Sequence, residues 1–275
     1  MKVESREYKL LISHEPFADA DAAPKALWEE IEDAAKTLPM IRTKSKLDEK
    51  ESRTIVFLDT PDHTLRRHGL VLRRRADDEA VEYTLKCRSE DRYFASGTDV
   101  RAAEGLKADD KLEEDIAPPF RCRFSRSATI TMSEDRKAAL QKTPKTLSEA
   151  TAFFPLLGTL RTDGRPCVSE TVLTPVNSIT IQECVWKGGK ILFEPEGAEE
   201  ESEKASAALI LWSRGRESRP AVAELSFRIK DREERFDRDQ ATAAQEVYRL
   251  LQRLDCARPE GITKTEYIYR DASHD

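Results

Sequence analysis

Between Thr54 and Arg75 the chain reads TIVFLDTPDHTLRRHGLVLRRR, and the end of that stretch limits the folds open to it. After Gly69 comes a strand-like run that ends in three arginines. Neighbouring side chains on a strand point to opposite faces, so Arg73 and Arg75 share one face while Leu70 and Leu72 share the other. A face that repeats cations is costly to bury unless something anionic meets it. The same device recurs: Lys86/Arg88, Arg121/Arg123 and Arg228/Lys230 are also cation pairs at i, i+2 on separate strand-like runs.

The surrounding pattern supplies the strands and helices. Residues 3–12 read as a strand with Ser5, Glu7 and Lys9 on one face. Residues 81–88 set Val81, Tyr83, Leu85 and Cys87 against Glu82, Thr84, Lys86 and Arg88. Residues 121–131 set Arg121, Arg123 and Ser125 against Cys122, Phe124 and Ile130, and 221–230 set Ala223, Leu225, Phe227 and Ile229 against Glu224, Ser226, Arg228 and Lys230. Residues 41–58 read as a strand pair with a charged hairpin from Lys46 to Arg53. Further strands are expected near 168–174, 177–186, 190–194 and 207–214. Helical spacing predicts helices over 22–38, with Trp28 in the buried stripe, and over 133–141, 147–157 and 237–254. The last would bury Ala241, Ala244, Val247, Leu250, Leu251 and Leu254. Asp59-Thr60-Pro61-Asp62 opens a turn, and Gly69 closes one basic helical turn. Short connections suggest an antiparallel barrel or sandwich.

Charged residues make up 36% of the 275 residues and hydrophobic ones 39%, a balance suited to a folded, highly charged domain. The net charge of −6 supplies no global basic field, so an anion site has to be local and no nucleic-acid partner is expected. Five cysteines without CxxC or Cys/His spacing point to free thiols in a reducing compartment. With no apolar signal segment and no membrane-length run, a cytoplasmic location and no membrane partner are expected.

Two architectures accommodate such alternation. In a sandwich the polar faces meet solvent. In a closed barrel with those faces turned inward, the apolar sides would face out under amphipathic helices. Like charges on neighbouring strands destabilise an ordinary solvent face. A lumen built from them would suit a multiply charged anion, because arginine forks match phosphate oxygens. Nearby carboxylates could hold Mg²⁺ or Mn²⁺.

The order of these pieces resembles the CYTH domain, the triphosphate tunnel metalloenzymes that include inorganic triphosphatases, thiamine triphosphatases and class IV adenylate cyclases. The matching pieces are S-R-E-Y-K at 5–9, F-L-D-T-P-D-H-T-L-R-R-H-G-L-V-L-R-R-R at 57–75 and Y-T-L-K at 83–86. L-E-E-D at 112–115, V-A-E-L-S-F at 222–227 and T-K-T-E-Y at 263–267 follow in order. The resemblance implies an α+β domain over residues 1–275, an eight-stranded antiparallel tunnel with a charged interior and helices outside. Insertions would fall near 89–111, 133–157 and 195–206. It implies catalytic roles for Glu7 and Lys9. Phosphate contacts would come from Arg73, Arg75, Lys86, Arg88 and Lys264, and on looser grounds from Arg121, Arg123, Arg161 and Arg228. Mg²⁺ or Mn²⁺ would be ligated by Glu7, Glu113, Asp115 and Glu224. Two positions depart from the pattern: Ser5 and Ser226 stand where metal-ligating carboxylates are expected, and a hydroxyl is a poor substitute for a hard dication. The implied activity is metal-dependent hydrolysis of a triphosphate. Triphosphate or polyphosphate binding without turnover is the alternative that the two serines favour, and an adenylate cyclase is the third. The oligomeric state is not legible in the sequence.

Overall fold

A computed structural model of the chain describes residues 1–17, 22–133, 143–162, 164–168, 170–193, 203–215, 219–231, 236–259 and 263–270. Among the described residues nine strands close into a ring. They are β1 (Val3–Ile12), β2 (Glu49–Asp59), β3 (Leu70–Ala76), β4 (Ala80–Ser89), β5 (Ala108–Ala117), β6 (Arg121–Ser133), β7 (Ile181–Lys187), β8 (Glu203–Arg214) and β9 (Val222–Lys230). Around the ring the order is β1-β5-β6-β4-β3-β2-β7-β8-β9 and back to β1. The expected barrel is therefore present, with one strand more than expected, because β7 bridges β2 and β8. An odd ring cannot alternate direction throughout, and the single parallel junction among these nine strands is β1 with β5. It sets Ser5 level with Glu113 and Glu7 level with Asp115.

On most of these strands alternation turns the polar side to the lumen and the apolar side outward, whereas β8 presents Ser206, Ala208, Ile210 and Trp212 inward. On one flank Tyr8, Leu10, Leu209, Leu225 and Phe227 are buried under helices α1 (Ala23–Ala35) and α5 (Arg238–Leu251). Trp28 and Ile31 of α1 and Val247, Tyr248 and Leu251 of α5 supply the facing side chains, and Tyr8 stacks on Phe227 with ring centroids 4.5 Å apart. The buried stripe of α5 includes Ala243 and Tyr248 rather than Ala241 and Leu250. The Tyr248 hydroxyl earns its burial by donating to the Lys9 carbonyl at 2.6 Å. On another flank Leu72, Tyr83, Leu85 and Ile130 pack against α4 (Leu147–Thr151) and the short 3-10 helix Pro155–Thr159. These two pieces stand where one helix over 147–157 was expected. The helix expected over 133–141 and the loop at 195–206 lie largely outside the described residues.

The turn after β2 explains its own sequence. Asp59, 1% exposed, accepts from the backbone amides of Thr60, Leu65 and Arg66 at 2.7, 2.8 and 3.1 Å, satisfying the open first turn of α2 (Thr64–Arg67). Gly69 then turns the chain with φ +69°, and a Cβ there would lie 3.0 Å from the Arg88 carbonyl oxygen. α3 (Arg92–Gly97) occupies the insertion after β4. Strand Ile41–Lys44 pairs with Lys190–Phe193 and not with β2, so the expected hairpin between 41 and 58 is replaced by two long-range pairings. Local charge marked the bend but carried no information about partners. Among the described residues of 168–174 only Thr174 enters a strand (Thr174–Pro175).

The last described helix, α6 (Lys264–Tyr269), closes one side of a barrel mouth. Its Ile268 and Tyr269 pack on Ile55, Phe57, Ile181, Trp212 and Val222. The Tyr269 hydroxyl donates to Asp59 at 3.0 Å, and Arg88 donates to Thr265 at 2.6 Å. None of the described helices is long and apolar enough to cross a membrane, and none of the five cysteines forms a disulfide.

Candidate functional site

The lumen is a cavity of about 1040 Å³. Among the described residues fifteen lysines and arginines and ten carboxylates line it, a positive surplus within an acidic chain. Glu7, Lys9, Arg73, Arg75, Lys86, Arg88, Glu113, Asp115, Arg121, Arg123, Glu224, Arg228 and Lys264 all face it. Arg161 does not. It lies on the exposed two-stranded turn formed by Arg161–Thr162 and Arg165–Pro166, donating to the Gly164 carbonyl at 3.3 Å, because it belongs to an excursion between β6 and β7 outside the ring.

The charges are sorted by wall. On β1, β5 and β9 the carboxylates are matched by cations. Arg228 donates to Glu7 at 2.7 Å and lies 3.6 Å from Glu113. Lys9 lies 2.7 Å from Asp115 and 3.3 Å from Glu7. Lys86, reaching across from β4, lies 3.6 Å from Glu113 and 3.8 Å from Asp115. Burial pushes Glu7 up, but Lys9 and Arg228 outweigh it and hold the carboxyl at about 2. Asp115 is likewise held far below its ordinary value: burial raises it and Lys9, Lys86 and Arg88 lower it more. Lys9 moves the other way; burial disfavours its charge, yet Asp115 and Glu7 raise its pKa. The pKa of Arg228 is raised as well, chiefly by Glu7.

The wall formed by β2, β3 and β4 is under-compensated. Arg73 makes no ion pair within 4 Å among the described residues; its Nη2 reaches Thr84 at 3.4 Å and its buried Nε has no partner. Burial, then repulsion from Arg75, pushes its pKa down to about 9. Burial likewise pushes Lys86 down to about 8, against the pull of Asp115 and Glu113. These cations are held in their charged form at a cost, which an anion between them would remove.

Arg53 and Glu183 are among the lining residues that escaped the sequence reading. Arg53 of β2 donates to Glu183 of β7 at 2.7 Å, and Arg75 lies 3.5 Å from the same carboxylate. Glu183, 3% exposed, also accepts from the Trp212 indole at 2.8 Å. Burial raises its pKa, and Lys264, Arg75 and Arg53 pull it to about 2. Glu183 thus fixes two guanidinium groups at the lumen edge. The alternation Ile181, Glu183, Val185, Lys187 was visible, but its half-apolar face carries no cation pair to mark it. Lys264, at the start of α6, lies 2.9 Å from Glu224 and 5.1 Å over the Trp212 ring.

A divalent metal does not fit the donors as arranged. Among the described residues no three acidic, histidine or cysteine side chains come together to hold one. Glu7, Glu113 and Asp115 are each engaged by two cations, and Glu224 by Lys264. Ser5 donates to Glu113 at 3.2 Å instead of adding a carboxylate.

No family model matches the chain, and no curated protein matches it. Solved structures align along nearly its whole length. A proposed adenylyl cyclase from Hippeastrum, described as having a dominant triphosphatase activity, aligns at TM-score 0.46 and 12% identity, covering 97% of this chain and 95% of that one. A proposed adenylate cyclase from Bacillus halodurans aligns at 0.45 and 14%, covering 98% of each chain. A third, from Vibrio parahaemolyticus, aligns at 0.36 and 12%, covering 98% and 100%.

Proposed function

We propose that the tunnel binds a triphosphate or longer polyphosphate chain, inorganic or carried on an organic group, along the arginine wall. The observation that carries this reading is Arg73, a lumen guanidinium with no ion-paired carboxylate among the described residues, flanked by Arg75 and the depressed Lys86. Phosphate oxygens match arginine forks bidentately, and a chain of phosphates reaches several cations at once. A monovalent anion would neutralise only one of them.

Hydrolysis of the bound anhydride is the second reading, and Lys86 favours it. An ammonium held at about 8 is protonated at neutral pH, yet releases its proton more readily than an ordinary lysine. Water would attack one phosphorus, the bridging P–O bond would break, and the departing phosphate oxygen would take the Lys86 proton. Lys86 would regain a proton from the attacking water. The arginines would neutralise the charge that builds on the transferred group.

Calorimetric titration with tripolyphosphate, paired with phosphate-release assays on tripolyphosphate and a nucleoside triphosphate, tests both readings. Replacing Arg73 and Arg75 together by Ala should weaken binding about a hundredfold, as loss of two charge-assisted contacts predicts. Unchanged binding in that double variant overturns the proposal. Binding without phosphate release under any metal condition leaves binding as the function and removes hydrolysis.

A further inference from the structure

We infer that Arg228 and Lys9 are built-in counter-cations occupying the place of a divalent metal, so that the tunnel takes its phosphate chain in metal-free form. This rests on the phosphate-binding reading above and specifies the ionic form of the ligand.

The geometry lies on the carboxylate wall. A bridging metal needs carboxylate oxygens free to converge on it. Here the Arg228 guanidinium spans Glu7 and Glu113, with Nη2 2.7 Å from one and Nη1 3.6 Å from the other. The Lys9 ammonium spans Asp115 and Glu7 at 2.7 and 3.3 Å. Both Glu113 oxygens are taken, one by Ser5 and Arg228 and the other by Lys86. Both Asp115 oxygens are taken too, one by Lys9 and the other by Ser125 and Lys86. Three carboxylates thus face three cations, and no negative surplus remains to draw in a dication.

The two serines complete the case. Ser5 is level with Glu113, and Ser226 is level with Lys9. Each places a neutral hydroxyl where another carboxylate would have left that wall negative. Substituting internal cations for a metal also accounts for the asymmetry of the lumen. Lys9 and Arg228, with Lys86 reaching across from β4, balance the three carboxylates, and the uncompensated guanidinium sits opposite, on Arg73.

The test uses the full chain. Its melting temperature is measured in chelator and in millimolar Mg²⁺ or Mn²⁺ without phosphate, and tripolyphosphate is titrated under each condition. The expected result is no metal-induced shift and undiminished tripolyphosphate affinity in chelator. Added Mg²⁺ should leave affinity unchanged or weaken it by complexing the free anion. Arg228→Met removes one of the two cations on each of Glu7 and Glu113, leaves that wall with a net negative charge, and should acquire a metal-dependent rise in melting temperature of several degrees. Ser226→Asp, which adds a carboxylate and removes no cation, should acquire a similar rise and guards against misfolding of the first variant. A metal-induced shift in the unaltered protein, or loss of tripolyphosphate binding in chelator, overturns the inference. So does failure of both variants to respond to metal while still melting cooperatively. Failure of the unaltered protein to bind tripolyphosphate under any condition sinks the preceding reading instead, and the metal titrations still decide whether internal cations stand in for the ion.

Discussion

Arg73 sets binding against stability. Its guanidinium is held in the lumen without a carboxylate within ion-pair distance, and its lowered pKa records that cost. Arg73→Met should therefore raise the melting temperature while lowering tripolyphosphate affinity; a drop in both would show that Arg73 supports the fold instead. The carboxylate wall gives the opposite sign. Glu7 titrates at about 2 when folded against an ordinary 4.5, so its stabilising contribution is complete above 4.5 and is lost as pH falls through about 2. Glu183 is depressed to a similar value. Melting temperature should therefore fall steeply between pH 4.5 and 2, and a flat profile across that window would contradict the ion pairs. Of these residues, Glu7, Lys9, Arg73 and Arg75 were legible because strand alternation puts like residues on one face. Arg53 and Glu183 were not, because each is a single charge whose meaning depends on a strand partner distant in sequence, 53 with 183.

Among the elements, α6 does a great deal with only six residues. A capping box holds its start, with Thr263 and Glu266 each accepting from the other's backbone amide. Its end buries Ile268 at 1% exposure among Ile55, Trp212 and Val222. Ile268→Ala should cost about 2–4 kcal/mol of unfolding free energy by denaturant titration; a cost near zero would mean that α6 is not packed at the mouth. The sequence marked this segment through its lysine but gave no hint of a helix, since six residues are too few for periodicity. The strands show the complementary lesson. Alternation revealed β1, β4, β6 and β9 and which face of each was polar. It carries neither direction nor partner, so the parallel junction of β1 with β5 and the bridging role of β7 had to come from the closed ring.

Across the whole molecule the fold inverts the ordinary arrangement of a soluble protein. Apolar faces lie between barrel and helices, and the densest charge lies at the centre. Closure makes this possible, since an open sheet would leave the same cations on a surface free to relax into water. Closure also carries a temporal consequence. β1 is made first, yet its two neighbours are β5 and β9, and its register with β9 runs from Ser5–Lys230 to Ile12–Ala223. The opening strand must wait for more than two hundred residues of chain before it can lock, and such distant pairings form slowly. During refolding, pulse-labelled amides of β1 should gain protection after those of the sequence-local β3–β4 hairpin. Until then the chain is an unclosed ribbon with two bare edges, the stage at which it is most open to sticking to its own copies.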